Sequence, residues 1–149
     1  MINGPQESIN ETLAQRLKVS YEGDPWHGKS IKAILQISDA PLPLKVLKLL
    51  NHMIAWRKYV ANILNGALYR IELNTPEDWP PVTQSQEEIL DALERSQAEL
   101  ILAIEHFDVD KWHDKLGKTK YTCLDLVQGV IDHDIYHRGQ LVQYIRGDV

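Results

Sequence analysis

The sequence predicts an all-α protein: a four-helix bundle with long connections and a short extra helix after the first long one. Three observations carry that prediction. Four long segments place apolar residues at intervals of three and four, and none shows strand alternation. Those segments begin or end at recognisable capping and breaking residues. The chain has 149 residues, 44% hydrophobic and 25% charged. That is long enough for one domain with a real core and too short for two ordinary ones, so residues 1–149 are expected to form a single domain.

The first helix is expected over about Ser8–Val19, with Ile9, Leu13 and Leu17 on one side, and Gly23-Asp24-Pro25 breaks it. A short helix over about Lys29–Gln36 carries Ile31, Ile34 and Leu35. Pro41 and Pro43 bracket a turn and favour a fresh helix start. The second long helix runs from about Leu44 to Asn65, with Leu47, Leu50, Met53, Ile54, Val60 and Leu64 apolar. Asn65-Gly66 is a good C-terminal stop. The stretch Asn74–Pro81, with Trp79 among its prolines, reads as an ordered loop.

The third long helix is expected over about Ser85–His106, with Ile89, Leu93, Leu100 and Ile104 in one stripe. Either Thr83 with Gln86 or Ser85 with Glu88 supplies its capping box. A polar loop carrying Trp112 and Gly117 follows. The last helix begins near Thr122, with Asp125 three residues on, and continues to about Ile145. Four amphipathic helices in one domain bury their stripes against one another, as a bundle does. The connections around residues 20–43 and 66–84 exclude the simplest up-down design.

Composition removes several function classes. The net charge is −5, and no basic stripe offers itself to phosphates, which argues against nucleic acid. Cys123 is the single cysteine, so an internal disulfide is excluded and a reducing compartment fits. No stretch approaches the roughly 18 apolar residues that span a membrane, and no signal peptide is visible. A cytoplasmic location is the expectation.

The most specific chemistry lies in His133-Asp134-Ile135-Tyr136-His137. Histidines four apart share one helix face and come within reach of a single metal ion. Six histidines in 149 residues supply about 0.2 such pairs by chance, so placement matters more than spacing. At 100° per residue, His133 and His137 fill gaps in the stripe formed by Cys123, Leu126, Val130, Leu141 and Tyr144. They occupy core positions where a bundle ordinarily wants Leu or Ile. Buried ring nitrogens need partners, and one metal ion satisfies two at once. The alternative is a pair of core histidines bonded to neighbouring side chains.

A third ligand is expected from a facing helix, and His52, near Leu49, Trp56, Tyr59 and Ile63 on the second helix, is the best candidate. Cys123 lies ten residues before His133, about 15 Å along the axis, and suits an apolar packing role. His106 and His113 flank a loop and read as surface residues. Three imidazoles suit Zn, Ni or Fe as divalent ions, and three protein ligands leave positions open, the pattern of a catalytic site. The di-iron Glu-x-x-His pattern is absent, and Asp134 stands where a zincin would need Glu. Asp134 points away from the histidine stripe and is expected in solvent or behind a ligand histidine.

Together with Asp24-Pro25-Trp26-His27-Gly28, Asn51-His52-Met53-Ile54-Ala55-Trp56 and the ending His137-Arg138-Gly139-Gln140, this triad resembles the DinB-like (YfiT-like) metal-binding superfamily. The resemblance spans roughly residues 9–145. It implies a four-helix bundle with a three-histidine divalent metal site at His52, His133 and His137, commonly in homodimers. Characterised members include metal-dependent thiol S-transferases and a mycothiol-dependent maleylpyruvate isomerase; many others are known only as stress-induced proteins.

Trp26, His27, Trp56 and Gln140 are the candidates to line the pocket. For the two tryptophans the alternative is ordinary loop packing and for His27 a loop position in solvent; Gln140, one turn past His137, is read as touching a metal-bound water, with plain solvent exposure as its alternative. The last helix also has a second apolar stripe, Leu124, Ile131, Ile135, Val142 and Ile145, explained either by deep burial or by a dimer contact. The leading functional expectation is transfer of a low-molecular-weight thiol to an electrophile. The alternatives are a metal-dependent hydrolase and a non-catalytic metal- or ligand-binding stress protein. The catalytic residues beyond the metal ligands are not legible in the sequence.

Overall fold

Ser8 starts the first helix by accepting the Glu11 backbone N–H on its hydroxyl at 3.2 Å, which satisfies one of the orphan donors of the first turn. In this computed structural model, which describes residues 8–37 and 39–146, α1 covers Ile9–Glu22. Residues 1–7, 38 and 147–149 of the expected single domain lie outside the described residues. The helix runs three residues past the expected end at Val19, because Tyr21 packs into the core and Gly23 then closes the helix onto the Val19 carbonyl.

The short helix α2 is one turn, Ile31–Leu35, capped by the Ser30 hydroxyl, and is tighter than the expected Lys29–Gln36. α3 covers Leu44–Leu64 and α4 covers Gln86–Glu105. Of the two possible capping boxes, Ser85 with Glu88 is the one formed. A 3-10 turn at Val109–Lys111 precedes α5, Cys123–Arg146. Thr122 and Asp125 bond reciprocally at its start, at 2.9 and 3.1 Å, an aspartate version of the capping box. The described residues contain no β-strand.

α3 packs on α4 and α5, and α1 packs on the same two helices, while α2 covers the seam between α1 and α5. The α1/α3 and α4/α5 pairs are therefore diagonal. Diagonal neighbours need crossing connections, which residues 23–43 and 106–122 supply. The second of these is not a plain polar loop. Trp112 is fully buried, packs at 4.4 Å on Phe107, and donates its indole N–H to Asn10 on α1 at 2.7 Å.

Two apolar clusters fill the bundle. One groups Leu13, Leu17, Val60, Leu100, Ile104 and Val127; the other groups Ile31, Ile34, Leu50, Met53, Ile89 and Leu141. Between them lies a buried polar layer, in which Arg57 on α3 meets Asp134 on α5 at 2.9 Å from Nε and 2.8 Å from Nη2. Asp134 is 1% exposed and Arg57 is 0% exposed, so the expectation of a solvated Asp134 is corrected. α5 is enclosed by α1, α2 and α3, so its buried arc extends past the histidine stripe to reach Asp134. Along the second apolar stripe Ile131 is fully buried, and Leu124, Ile135, Val142 and Ile145 are half-buried within one chain.

Candidate metal centre

His52 comes from the middle of α3 and His133 and His137 from the middle of α5, two helices packed side by side. The four-residue spacing stacks the α5 pair one turn apart, with their rings 4.3 Å between centroids. The Nε2 atoms of His52 and His133 lie 3.0 Å apart, and those of His133 and His137 also 3.0 Å apart. The three rings offer ligand atoms that could hold one metal ion.

The opposite edges of two rings are tied down. His52 Nδ1 donates to the Asp78 backbone carbonyl at 2.6 Å and lies 3.2 Å from its carboxylate Oδ1. His137 Nδ1 donates to the Gln140 side-chain oxygen at 2.6 Å. These acceptors put the proton on Nδ1 and leave a lone pair on each Nε2. Both lone pairs then face His133 Nε2, whose single N–H can satisfy only one of them. A cation at the convergence satisfies all three. Tetrahedral Zn with bonds of roughly 2.0–2.1 Å spaces its nitrogens by about 3.3 Å, close to the two 3.0 Å separations, and all three ligand atoms lie within 4.8 Å of one another, so the residues fit a divalent ion.

The electrostatics agree. Burial, and then the charges that His137 and His52 would carry, push His133 down to about 3, so it stays neutral and available as a ligand. Burial likewise lowers His137, although its bond to Gln140 opposes the shift. Burial pushes the Asp78 carboxyl up, but the Asn74 backbone N–H at 2.8 Å, the Trp56 indole and the neighbouring imidazoles outweigh it and hold it below its ordinary value. Burial pushes Asp134 up, and the Arg57 guanidinium opposes that.

An aromatic ring backs each histidine. Trp79 stacks on His52 at 3.8 Å with 4° between planes, Trp56 lies 5.8 Å from His133, and Tyr136 meets His137 edge-on at 5.1 Å. Trp56 thus stands beside the triad, and its indole N–H donates to Asp78 Oδ1 at 2.8 Å. Gln140 is also at the site, but it is bonded to His137. Trp26 is 106% exposed and forms no wall. His27 sits on the same exposed turn beside the Arg138 charge, and Arg138 points to the other side of α5 from the triad. Cys123 is buried and His106 and His113 are exposed, as expected.

Sequence reasoning missed Asp78 and Trp79. Both lie in the loop read only as ordered, and no periodicity marks a loop residue. The Asp-Trp pair among prolines was the available signal. The fold and the donor set define an all-helical bundle protein with three histidines positioned to bind a metal. A model of the DinB family matches residues 33–147, well over half of the chain, and the chain belongs to that family. Comparison with curated proteins and with solved structures returned no match.

Proposed function

We propose that this protein is a divalent-metal-dependent enzyme that activates a low-molecular-weight thiol for transfer to a small electrophile. The observation that carries the reading is the donor set: three convergent imidazole nitrogens, joined by no thiolate or carboxylate ligand among the described residues. Such a set suits Zn, Ni or Fe and leaves positions for an exogenous ligand. A bound divalent ion there supplies a positive charge that lowers the pKa of a thiol or water at an open position.

The chain's own residues hold and shield that site. Asp78 and Gln140 fix the tautomers of His52 and His137, an arrangement whose loss typically weakens metal affinity 10–100-fold. Trp79, Trp56 and Tyr136 supply apolar walls. Neither nearby carboxylate is open to act as a general base: Asp78 is taken by Asn74, Trp56 and His52, and Asp134, 1% exposed, gives Oδ2 to Arg57 and keeps Oδ1 buried. A thiol with an ordinary pKa of about 8.5 needs only the cation to become a nucleophile, whereas water starts near 15.7 and gains more from a base. That difference favours thiol transfer over hydrolysis.

The test begins with elemental analysis of wild type beside His137→Ala. Stoichiometric metal in wild type and its loss in the variant are expected; metal-free wild type prepared in metal-replete medium refutes the reading. The metal-loaded protein is then given cysteine with 1-chloro-2,4-dinitrobenzene, and thioether formation is followed by absorbance. Turnover abolished by chelation supports thiol transfer. Metal-dependent cleavage of p-nitrophenyl acetate without thiol, and no thioether, would assign a hydrolase instead.

A further inference from the structure

A groove of about 440 Å³ lies between α2, the turn before it and the second half of α5. Its walls carry Lys29, Arg138 and Arg146 together with Ile34, Ile37 and Val142, and among the described residues no acidic side chain lines it. On α5 the four contributing side chains, Arg138, Val142, Gln143 and Arg146, lie about 100–180° round the helix from His137, so the groove is separate from the metal centre.

The charge here runs against that of the chain. The net charge is −5, and four cations elsewhere are paired: Arg16 with Asp132, Lys18 with Glu105, Lys32 with Glu22 and Glu94, and Arg57 with Asp134. Lys29, Arg138 and Arg146 form no ion pair among the described residues. Arg138 is also preset. Its Nε donates to the Lys29 carbonyl at 2.5 Å. Its Nη2 occupies the space where a side chain on Gly28 would begin, 2.5 Å from an ideal Cβ, and Gly28 holds φ +134°. That backbone conformation is one that residues with a side chain rarely adopt. Burial lowers the Arg138 guanidinium with no carboxylate to offset it.

We propose that this groove binds a small aliphatic carboxylate. A guanidinium held in place matches a carboxylate, and charge complementarity selects an anion. The aliphatic wall of Ile34, Ile37 and Val142 selects one with a hydrocarbon body. The carboxylate belongs at the Arg138–Lys29 end, because the unpaired carbonyls of the last turn of α5 disfavour an anion beside Arg146. The volume falls within the roughly 300–1,000 Å³ of small-molecule sites.

Octanoate titrated into the metal-replete ¹⁵N-labelled protein, with amide shifts as readout, tests this. Shifts concentrated in residues 28–37 and 138–146 are expected, with at least tenfold weaker binding in Arg138→Gln and in Lys29→Gln. Octan-1-ol, which lacks the charge, and inorganic phosphate, which lacks the chain, are each expected to bind at least tenfold more weakly than octanoate. Equal binding of octan-1-ol or phosphate overturns the proposal, as do shifts confined to other regions or affinity unchanged in the variants. Should Arg138→Gln fail to fold, the exposed pair Lys29→Gln with Arg146→Gln must weaken binding by the same factor or the proposal falls. Metal content is the control and stays constant in these variants.

Discussion

Replacing Asp134 by Asn removes one charge from the middle of the bundle and takes from the buried Arg57 guanidinium its direct counter-ion, leaving Glu94 as the remaining carboxylate that feels its charge. Arg57 is 0% exposed and receives two contacts from Asp134 Oδ2, at 2.9 and 2.8 Å. Its other polar contact is a 3.4 Å bond to the Leu93 carbonyl, and the Tyr21 ring lies 5.2 Å away. Removing one partner of such a pair costs about 3–5 kcal/mol. The Asn oxygen can still accept one bond, which places the cost near the lower end, about 3 kcal/mol. Unfolding entropy of about 2.1 cal/mol/K per residue gives about 0.3 kcal/mol/K for 149 residues. The expected fall in Tm is therefore about 10 °C.

Thermal unfolding followed by circular dichroism in EDTA isolates this term from metal binding. The paired replacement Arg57→Met with Asp134→Leu removes both charges and is expected to return to within about 1 kcal/mol of wild type or above it. A loss below about 1 kcal/mol in Asp134→Asn would refute the reasoning. So would a double variant less stable than the single one, since the pair would then contribute through packing and not through charge.

Two further outcomes follow from the same geometry. Metal-free protein is expected to lose stability as pH falls below about 6.5. The unfolded chain takes up a proton near the ordinary histidine value of 6.5, while folded His133 resists until about 3. The loss therefore grows from pH 6.5 downward and is complete near pH 3. Urea midpoints at pH 7.5 and 5.0 in EDTA check it, and a pH dependence unchanged in His133→Leu argues against the assignment. At the other end of the bundle, Asn10 donates to the Phe107 carbonyl at 2.7 Å and accepts the Trp112 indole at 2.7 Å. Asn10→Leu strands both groups and is expected to cost about 2–4 kcal/mol with metal content intact. A cost under about 1 kcal/mol in urea denaturation contradicts that role.

The helices were legible because helical periodicity and capping are local. Ser85 with Glu88 and Thr122 with Asp125 mark their helix starts within four residues, and both boxes form. The triad was legible for the same reason: a stripe that runs through Cys123, Val130 and Leu141 places His133 and His137 without knowledge of any neighbour. His52 required only a facing helix.

What surrounds the triad depends on segments distant in sequence. Asp78 reaches His52 across 26 positions, Asp134 reaches Arg57 across 77, and Trp112 reaches Asn10 across 102. None of these contacts leaves a periodic trace. Trp26 shows the converse: a tryptophan beside a histidine reads as a pocket wall, yet it stands in solvent. By itself the sequence determined four amphipathic helices and a three-histidine face, because both depend on the 100° step of a helix. Only the tertiary structure decided which loop closes over His52 and which arginine neutralises Asp134. Those choices depend on which helices become diagonal and which adjacent, and that is set by packing the whole chain at once.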